Sequence, residues 1–204
     1  MSFLQKIMAK PWEHAGEMEG IHGGSFVSSP AQSTGLRVFL AVISSMFFLF
    51  FMAYKLRMDF PDWRPLDDPQ ILWFNTVLLI LGSIALQRAR SAAKKDDIKG
   101  VRNGLLAGGL FTAGFLAGQF LAWQELFVSG FYATVNPSYA FFYLFTGLHG
   151  AHLAGGLWVW GRTTRKVWQG AEVEKVRMSV RLCSVYWHYL LLVWLIMFGL
   201  LLST

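Results

Sequence analysis

Apolar residues in this chain neither alternate nor come in short runs. They fill five long windows and leave the charged residues to the segments between. The windows run from about 35 to 54, 70 to 87, 103 to 127, 138 to 161 and 182 to 204. At about 1.5 Å of rise per residue, helices of about 18–25 residues reach across a hydrocarbon core about 30 Å thick. Arg37 stands at the mouth of the first window, and Glu125 is the one formal charge in the third. The second, fourth and fifth hold no Asp, Glu, Lys or Arg. Turn signals do not interrupt the windows, and they are far longer than membrane-barrel strands, which excludes a transmembrane β-barrel. The pattern predicts an all-α, polytopic membrane protein. It is a single bundle of five transmembrane helices over residues 35–204, preceded by a 1–34 tail on the cytoplasmic side.

Composition agrees with that solvent. The chain is 54% hydrophobic and only 15% charged, too little polar surface to cover a water-soluble globule. Charge then sets the orientation. With the N-terminus inside, the inner segments collect fifteen of the 18 basic residues and leave only Lys55, Arg57 and Arg64 outside. That asymmetry predicts N-terminus in and C-terminus out. It also makes the net charge of +6 a topology signal beside anionic lipid, which argues against nucleic-acid binding.

The tail is a different material. Residues 1–10 have the pattern of a short amphipathic turn, with Phe3, Leu4, Ile7 and Met8 toward lipid and Lys6 and Lys10 toward phosphates. A Gly, Ser and Pro-rich tether carrying His14 and His22 follows it, with no cleavable signal pattern. The 55–69 connection, rich in Asp and Pro, reads as a turn-rich outer cap, whereas the 128–137 connection has no charge and is expected to pack against protein or the bilayer interface. Cys183 is the single cysteine, so an intrachain disulfide is excluded.

Chemistry concentrates in two segments. One is Phe142-Tyr143-Leu144-Phe145-Thr146-Gly147-Leu148-His149-Gly150-Ala151-His152 and the other Tyr186-Trp187-His188-Tyr189. Imidazole within a spanning helix faces a protein interior or a cavity and takes a hydrogen-bond partner. His149 and His152, three residues apart, share a helix face. With His188 and Glu125 they make a metal site on paper. Depth separates them: at the helical rise, His188 lies about 9 Å from the inner end of its helix, His152 about 14 Å, His149 about 18 Å and Glu125 about 33 Å. A meeting of His152 and His188 is expected, with His149 above them and Glu125 out of reach. No ligand set for haem or metal emerges, which leaves interhelical or lipid-headgroup hydrogen bonding as the role of the three histidines.

Tryptophans 63, 73 and 123 fall near the outer interface and 158, 160 and 168 near the inner one, where interfacial belts form, while Trp194 is deeper and is expected to pack. Gly104 and Gly108, with Gly114 and Gly118, mark a face for close helix approach, as do Gly150, Gly155, Gly156 and Gly161. The third and fourth helices are expected to touch there.

These residues resemble subunit III of the haem-copper oxidases, the cytochrome c oxidase and quinol oxidase superfamily, in its short five-helix bacterial form. The segment closing on Gly155-Gly156 is similar to that family's Thr-Gly-x-His-Gly-x-His signature, and Tyr186-Trp187-His188-Tyr189 is similar to its last-helix Tyr-Trp-His motif. The run from Gln119 through Trp123 and Glu125 looks like its Gln-x-x-x-Trp stretch. Thr146, Tyr186 and Trp187 belong to the same motifs. Two departures stand out. Many members carry a carboxylate in the middle of the first of these helices, where Ser44 and Ser45 stand here, and an Asp three residues after the motif histidine, where Leu191 stands.

The resemblance implies an accessory subunit without redox centres in a bacterial inner (plasma) membrane complex that reduces oxygen to water. Haem and copper would lie in partner subunits. This chain would pack on subunit I, with subunit II in the same complex, support proton uptake and hold phospholipid. Two other classes stay open on the residues alone. One is a small proton-coupled transporter using intramembrane histidines, against which the absence of Pro in the helix cores argues, and the other is a membrane metalloenzyme.

Overall fold

The computed structural model describes residues 29–65 and 70–203. The expected amphipathic turn at 1–10, the tether histidines and part of the acidic outer loop lie outside the described residues. Five helices follow in order: α1 (Ser29–Met58), α2 (Ile71–Lys94), α3 (Ile98–Val128), α4 (Pro137–Trp168) and α5 (Val173–Leu202). Among the described residues there is no strand. The first, third and fourth expected windows sit wholly inside longer helices, and the second and fifth match theirs to within two residues at one end; a helix continues past hydrocarbon wherever Arg, Lys and Gln, good helix formers, follow the apolar stretch.

Four of the five, α1, α2, α3 and α5, are long and apolar enough to cross a membrane. Helix α4, the fifth expected span, differs from these four in composition. Its 32 residues suffice in length, but Gly, Thr, His, Tyr and Trp dilute its apolar character.

Polar residues place the helix ends. Asp97 caps α3, its carboxylate accepting from the backbone N–H groups of Lys99 and Gly100 at 3.1 Å each. Asn136 caps α4 just before Pro137, a residue whose missing N–H is harmless at the first helical position. Its side-chain amide also donates to the Arg64 carbonyl at 3.1 Å, which ties the α1–α2 and α3–α4 connections together. Gly130 and Gly170 end α3 and α4 with φ of 81° and 83°, in the left-handed region that favours glycine.

Helices α2, α3, α4 and α5 close into a ring in which each packs on the next and α5 returns to α2. The α2–α3 pair is the most intimate. A Cβ on Gly104 would come within 2.8 Å of the Ala85 carbonyl oxygen and the Ala89 nitrogen, and one on Gly108 within 2.7 Å of Leu86. Small residues there let the two backbones touch, as the sequence led one to expect, but the partner helix is α2 rather than α4. The α3–α4 contact is instead Gly109 under the Trp160 ring. Gly156 meets Tyr186 and Trp187 of α5, Gly150 makes only an ordinary contact with Leu116, and a Cβ on Gly155 or Gly161 would meet nothing within 4 Å. Gly155 is therefore not a close-packing position within this chain.

Helix α1 lies outside the ring against α4 and α5. Its C-terminal end is anchored by Tyr54, fully buried, whose ring meets Trp63 edge-on at 4.9 Å and Phe141 at 5.4 Å. At mid-height the Ser44 hydroxyl and the Tyr189 hydroxyl are 2.9 Å apart.

Candidate functional site

The histidine segments lie on α4 and α5, where those helices face each other and α1. His149 is fully enclosed, its ring between Phe115 of α3 (5.8 Å) and Trp194 of α5 (5.3 Å). His152, one turn nearer the C-terminal end of α4 and half-buried, points toward α1, 5.7 Å from the Phe47 ring and 6.4 Å from the Phe39 ring. Its Nδ1 is 2.7 Å from the Leu148 carbonyl. His188 is exposed, and its Nδ1 lies 2.7 Å from the Ser184 carbonyl. A carbonyl only accepts, so in both rings Nδ1 carries the proton and donates. Both bonds stay within one helix. Among the described residues no hydrogen bond joins His152 to His188, and the expected meeting of the two is not part of the hydrogen-bond network.

Four of the bonds between helices come from indoles. Trp187 Nε1 donates to Thr112 Oγ1 at 2.8 Å, Trp194 to Thr76 at 2.9 Å and Trp123 to Thr146 at 3.0 Å. Each of these threonines passes its own hydroxyl proton to the carbonyl four residues back, at Gly108, Leu72 and Phe142. A fourth indole, Trp160, donates to the Leu105 carbonyl at 2.9 Å. The indole N–H is a donor only, and the threonine hydroxyl both accepts and donates, so each pair satisfies both groups where no water competes. Trp123 and Trp160 thus join helices rather than sit in an interfacial belt, whereas Trp73 and Trp158 face outward. A signal for the pairs was present in the sequence: Thr76, Thr112 and Thr146 are hydroxyls set in apolar windows that also hold donor-only indoles.

The remaining motif residues divide. Tyr186 is buried and its hydroxyl donates to the His152 carbonyl at 3.0 Å, joining α5 to α4. Gln119 is buried without a protein partner among the described residues. Glu125 is exposed near the C-terminal end of α3, away from the histidines, as depth required.

Two cavities separate α1 from the ring. The outer one, about 350 Å³, is lined by Ser44, Phe47, Phe51, Leu192 and Ile196 among others, and the inner one, about 390 Å³, by Leu36, Phe39, His152, Gly156 and Tyr186 among others. Gly155 borders the inner cavity, which accounts for its open flank. At the waist between them stand Phe47, against His152, and the Ser44–Tyr189 contact. Among the described residues no three His, Cys, Asp or Glu side chains come together as a metal-ligand set.

The fold and this site define a class: a polytopic helical membrane subunit whose inward polar groups join helices to one another. Relatives identify it further. The chain is 32% identical over 172 residues to cytochrome c oxidase subunit 3 of Thermostichus vulcanus, covering 82% of this chain and 84% of the relative. It is 27% identical over 189 residues to the Synechocystis subunit of the same name, covering 90% and 78%. The heme-copper oxidase subunit I+III of Aeropyrum pernix is 26% identical over 179 residues, 86% of this chain and 21% of that longer protein. No protein-family model matches the chain. On these similarities the chain belongs to the cytochrome c oxidase subunit III family of the haem-copper oxidases.

Proposed function

We propose that this chain is the accessory, redox-centre-free subunit III of a respiratory haem-copper oxidase in a bacterial plasma membrane, with its N-terminus in and its C-terminus out. All five helices span, α4 included, because it runs antiparallel beside α3 and is bonded to it near both ends through Trp123–Thr146 and Trp160–Leu105. The observation that carries the reading is similarity over most of the chain to proteins named cytochrome c oxidase subunit 3. The relative named subunit I+III supports subunit I as the direct neighbour, with subunit II in the same complex. Nothing in the comparisons favours the transporter reading.

In this role His149, His152 and His188 act structurally. His152 buttresses α1 through Phe39 and Phe47, while exposed His188 is available to a lipid headgroup or a neighbouring subunit. The two apolar cavities suit the acyl chains of phospholipid, which fill a greasy cleft between helices by van der Waals contact. Haem, copper and the oxygen chemistry belong to partner subunits, and the chain supports their proton uptake by stabilising the catalytic subunit.

The test is purification of the native complex in mild detergent through a tag on this chain, followed by identification of its companions and a visible spectrum. Subunits I and II and a haem spectrum are expected. A tagged chain that brings down no haem-bearing partner would overturn the reading.

A further inference from the structure

One height of the ring contains polar groups that the helix-joining network does not use. Asn75 on α2, Gln119 on α3 and His149 on α4 are all enclosed, and both polar atoms of each side chain lack a hydrogen-bond partner among the described residues. Packing sets them level. Asn75 is tucked against Gly118, where a Cβ would come within 2.0 Å of its Oδ1, and Gln119 is the next residue. Helix α4 is pinned to α3 by Trp123–Thr146. Moving three residues inward along α4 reaches His149, and four inward along antiparallel α3 reaches Gln119, a height difference of about 1.5 Å. The neighbouring hydroxyls are occupied, Thr76 by Trp194 and Thr146 by Trp123. The walls around His149 are the aromatic rings of Phe115 and Trp194.

An enclosed amide or imidazole without a partner costs about 1–3 kcal/mol, and a bilayer interior offers no bulk water to relieve it. Each amide brings donors and an acceptor, and a neutral imidazole brings one of each. A partner for all three must be small, neutral and able to donate and accept at once. Buried water meets those terms and typically makes about three hydrogen bonds to groups of this kind. We infer that the Asn75–Gln119–His149 level is a binding site for internal water, held at the centre of the α2–α3–α4–α5 ring and joining three helices that carry no direct side-chain bond there. The set contains no carboxylate or thiolate, which disfavours a metal cation as its ligand. It is also separate from the two apolar cavities beside α1.

The experiment uses the intact complex. Brief radiolysis generates hydroxyl radicals from bound as well as bulk water and marks adjacent side chains. Phe115 and Trp194 are expected to be oxidised although buried, while Phe142, equally buried but away from this level, stays unmarked. The double variant Gln119→Leu/His149→Phe is expected to lower labelling of Phe115 and Trp194 several-fold. In a density map that resolves ordered water, a peak is expected within about 2.7–3.2 Å of polar atoms from at least two of the three side chains. Phe115 and Trp194 as silent as Phe142, or a map in which the three side chains bond one another directly with no water peak, would overturn the site. Because wild-type labelling and the wild-type map decide alone, the proposal stays testable if the double variant fails to assemble.

Discussion

Helix α1 and the α2–α3 pair are both apolar spans, yet they are held in opposite ways. In α2 and α3, 44% of the apolar stretch is buried inside the chain, against 11% in α1. The pair is joined backbone to backbone over Gly104 and Gly108. Contacts at α1 are an aromatic anchor at Tyr54, the Phe39 and Phe47 rings against His152, the Tyr189 hydroxyl against Ser44 and the Leu40 carbonyl, and two cavities. In a bilayer, apolar surface gains nothing by leaving lipid for protein, so close fit and hydrogen bonds must hold helices together. The pair has that fit internally, and α1 leaves most of its surface for lipid or another subunit.

Adding volume to the tight pair is the largest way to break this contrast. Gly104→Leu would drive a side chain into the α2 backbone, and about 3 kcal/mol, the upper end of overpacking costs, is expected. Thermal release of this chain from the purified complex measures it, and Gly155→Ala, made toward open space, should leave release unchanged.

Next in size is the indole network. Trp194→Phe keeps the ring contacts and removes the bond to Thr76, which still has the Leu72 carbonyl to donate to. A loss of about 1–2 kcal/mol is expected, within the range for hydrogen bonds between membrane helices. Adding Thr76→Val should cost little more, and a double-mutant cycle reads that coupling directly.

Ser44→Ala removes the mid-height contact with Tyr189. About 0.6 kcal/mol is expected, confined to α1. A cysteine-reactivity profile along α1 should rise while one along α2 stays flat. Equal rises in both helices would mean that α1 is not independently held.

The smallest effect is at the C-terminal end of α1, where Arg57 in its last turn pairs with Asp62. The Arg57 hydrogen bond holds the Asp62 carboxyl below its ordinary range. A depressed carboxylate contributes above its unfolded pKa, and that contribution is lost as pH falls through the lowered value. Protection against hydrogen exchange at residues 59–63, taken relative to the intrinsic exchange rate at each pH, should therefore be flat near neutrality and fall only in acid, and Asp62→Asn should abolish the acid response. Solvent screening keeps the effect small.

The contrast also marks what the sequence could reveal. All five helices were legible, because charge and hydropathy segregate cleanly along the chain. Their ends were not, since hydropathy reads the edge of the hydrocarbon and a helix such as α4 runs on through Arg162, Arg165 and Lys166 to Trp168. Basic residues counted as solvated inner charges turned out partly structural: Arg177 donates to the Ala93 carbonyl and pairs with Asp96, and Arg102 donates to the Val167 carbonyl. The three motif histidines were found, but their directions depend on helix rotation, which residue spacing leaves open. Gly155 illustrates the same limit. Its spacing selects a helix face, and only the fold tells whether a neighbour stands against it.

The central claim is that this chain stabilises an oxidase without holding its redox centres. Haem and copper should therefore be measured in the native complex before and after selective release of this chain, and in the released chain itself. The account predicts unchanged haem and copper per catalytic subunit and none in the released fraction. Haem or copper leaving stoichiometrically with this chain would contradict it.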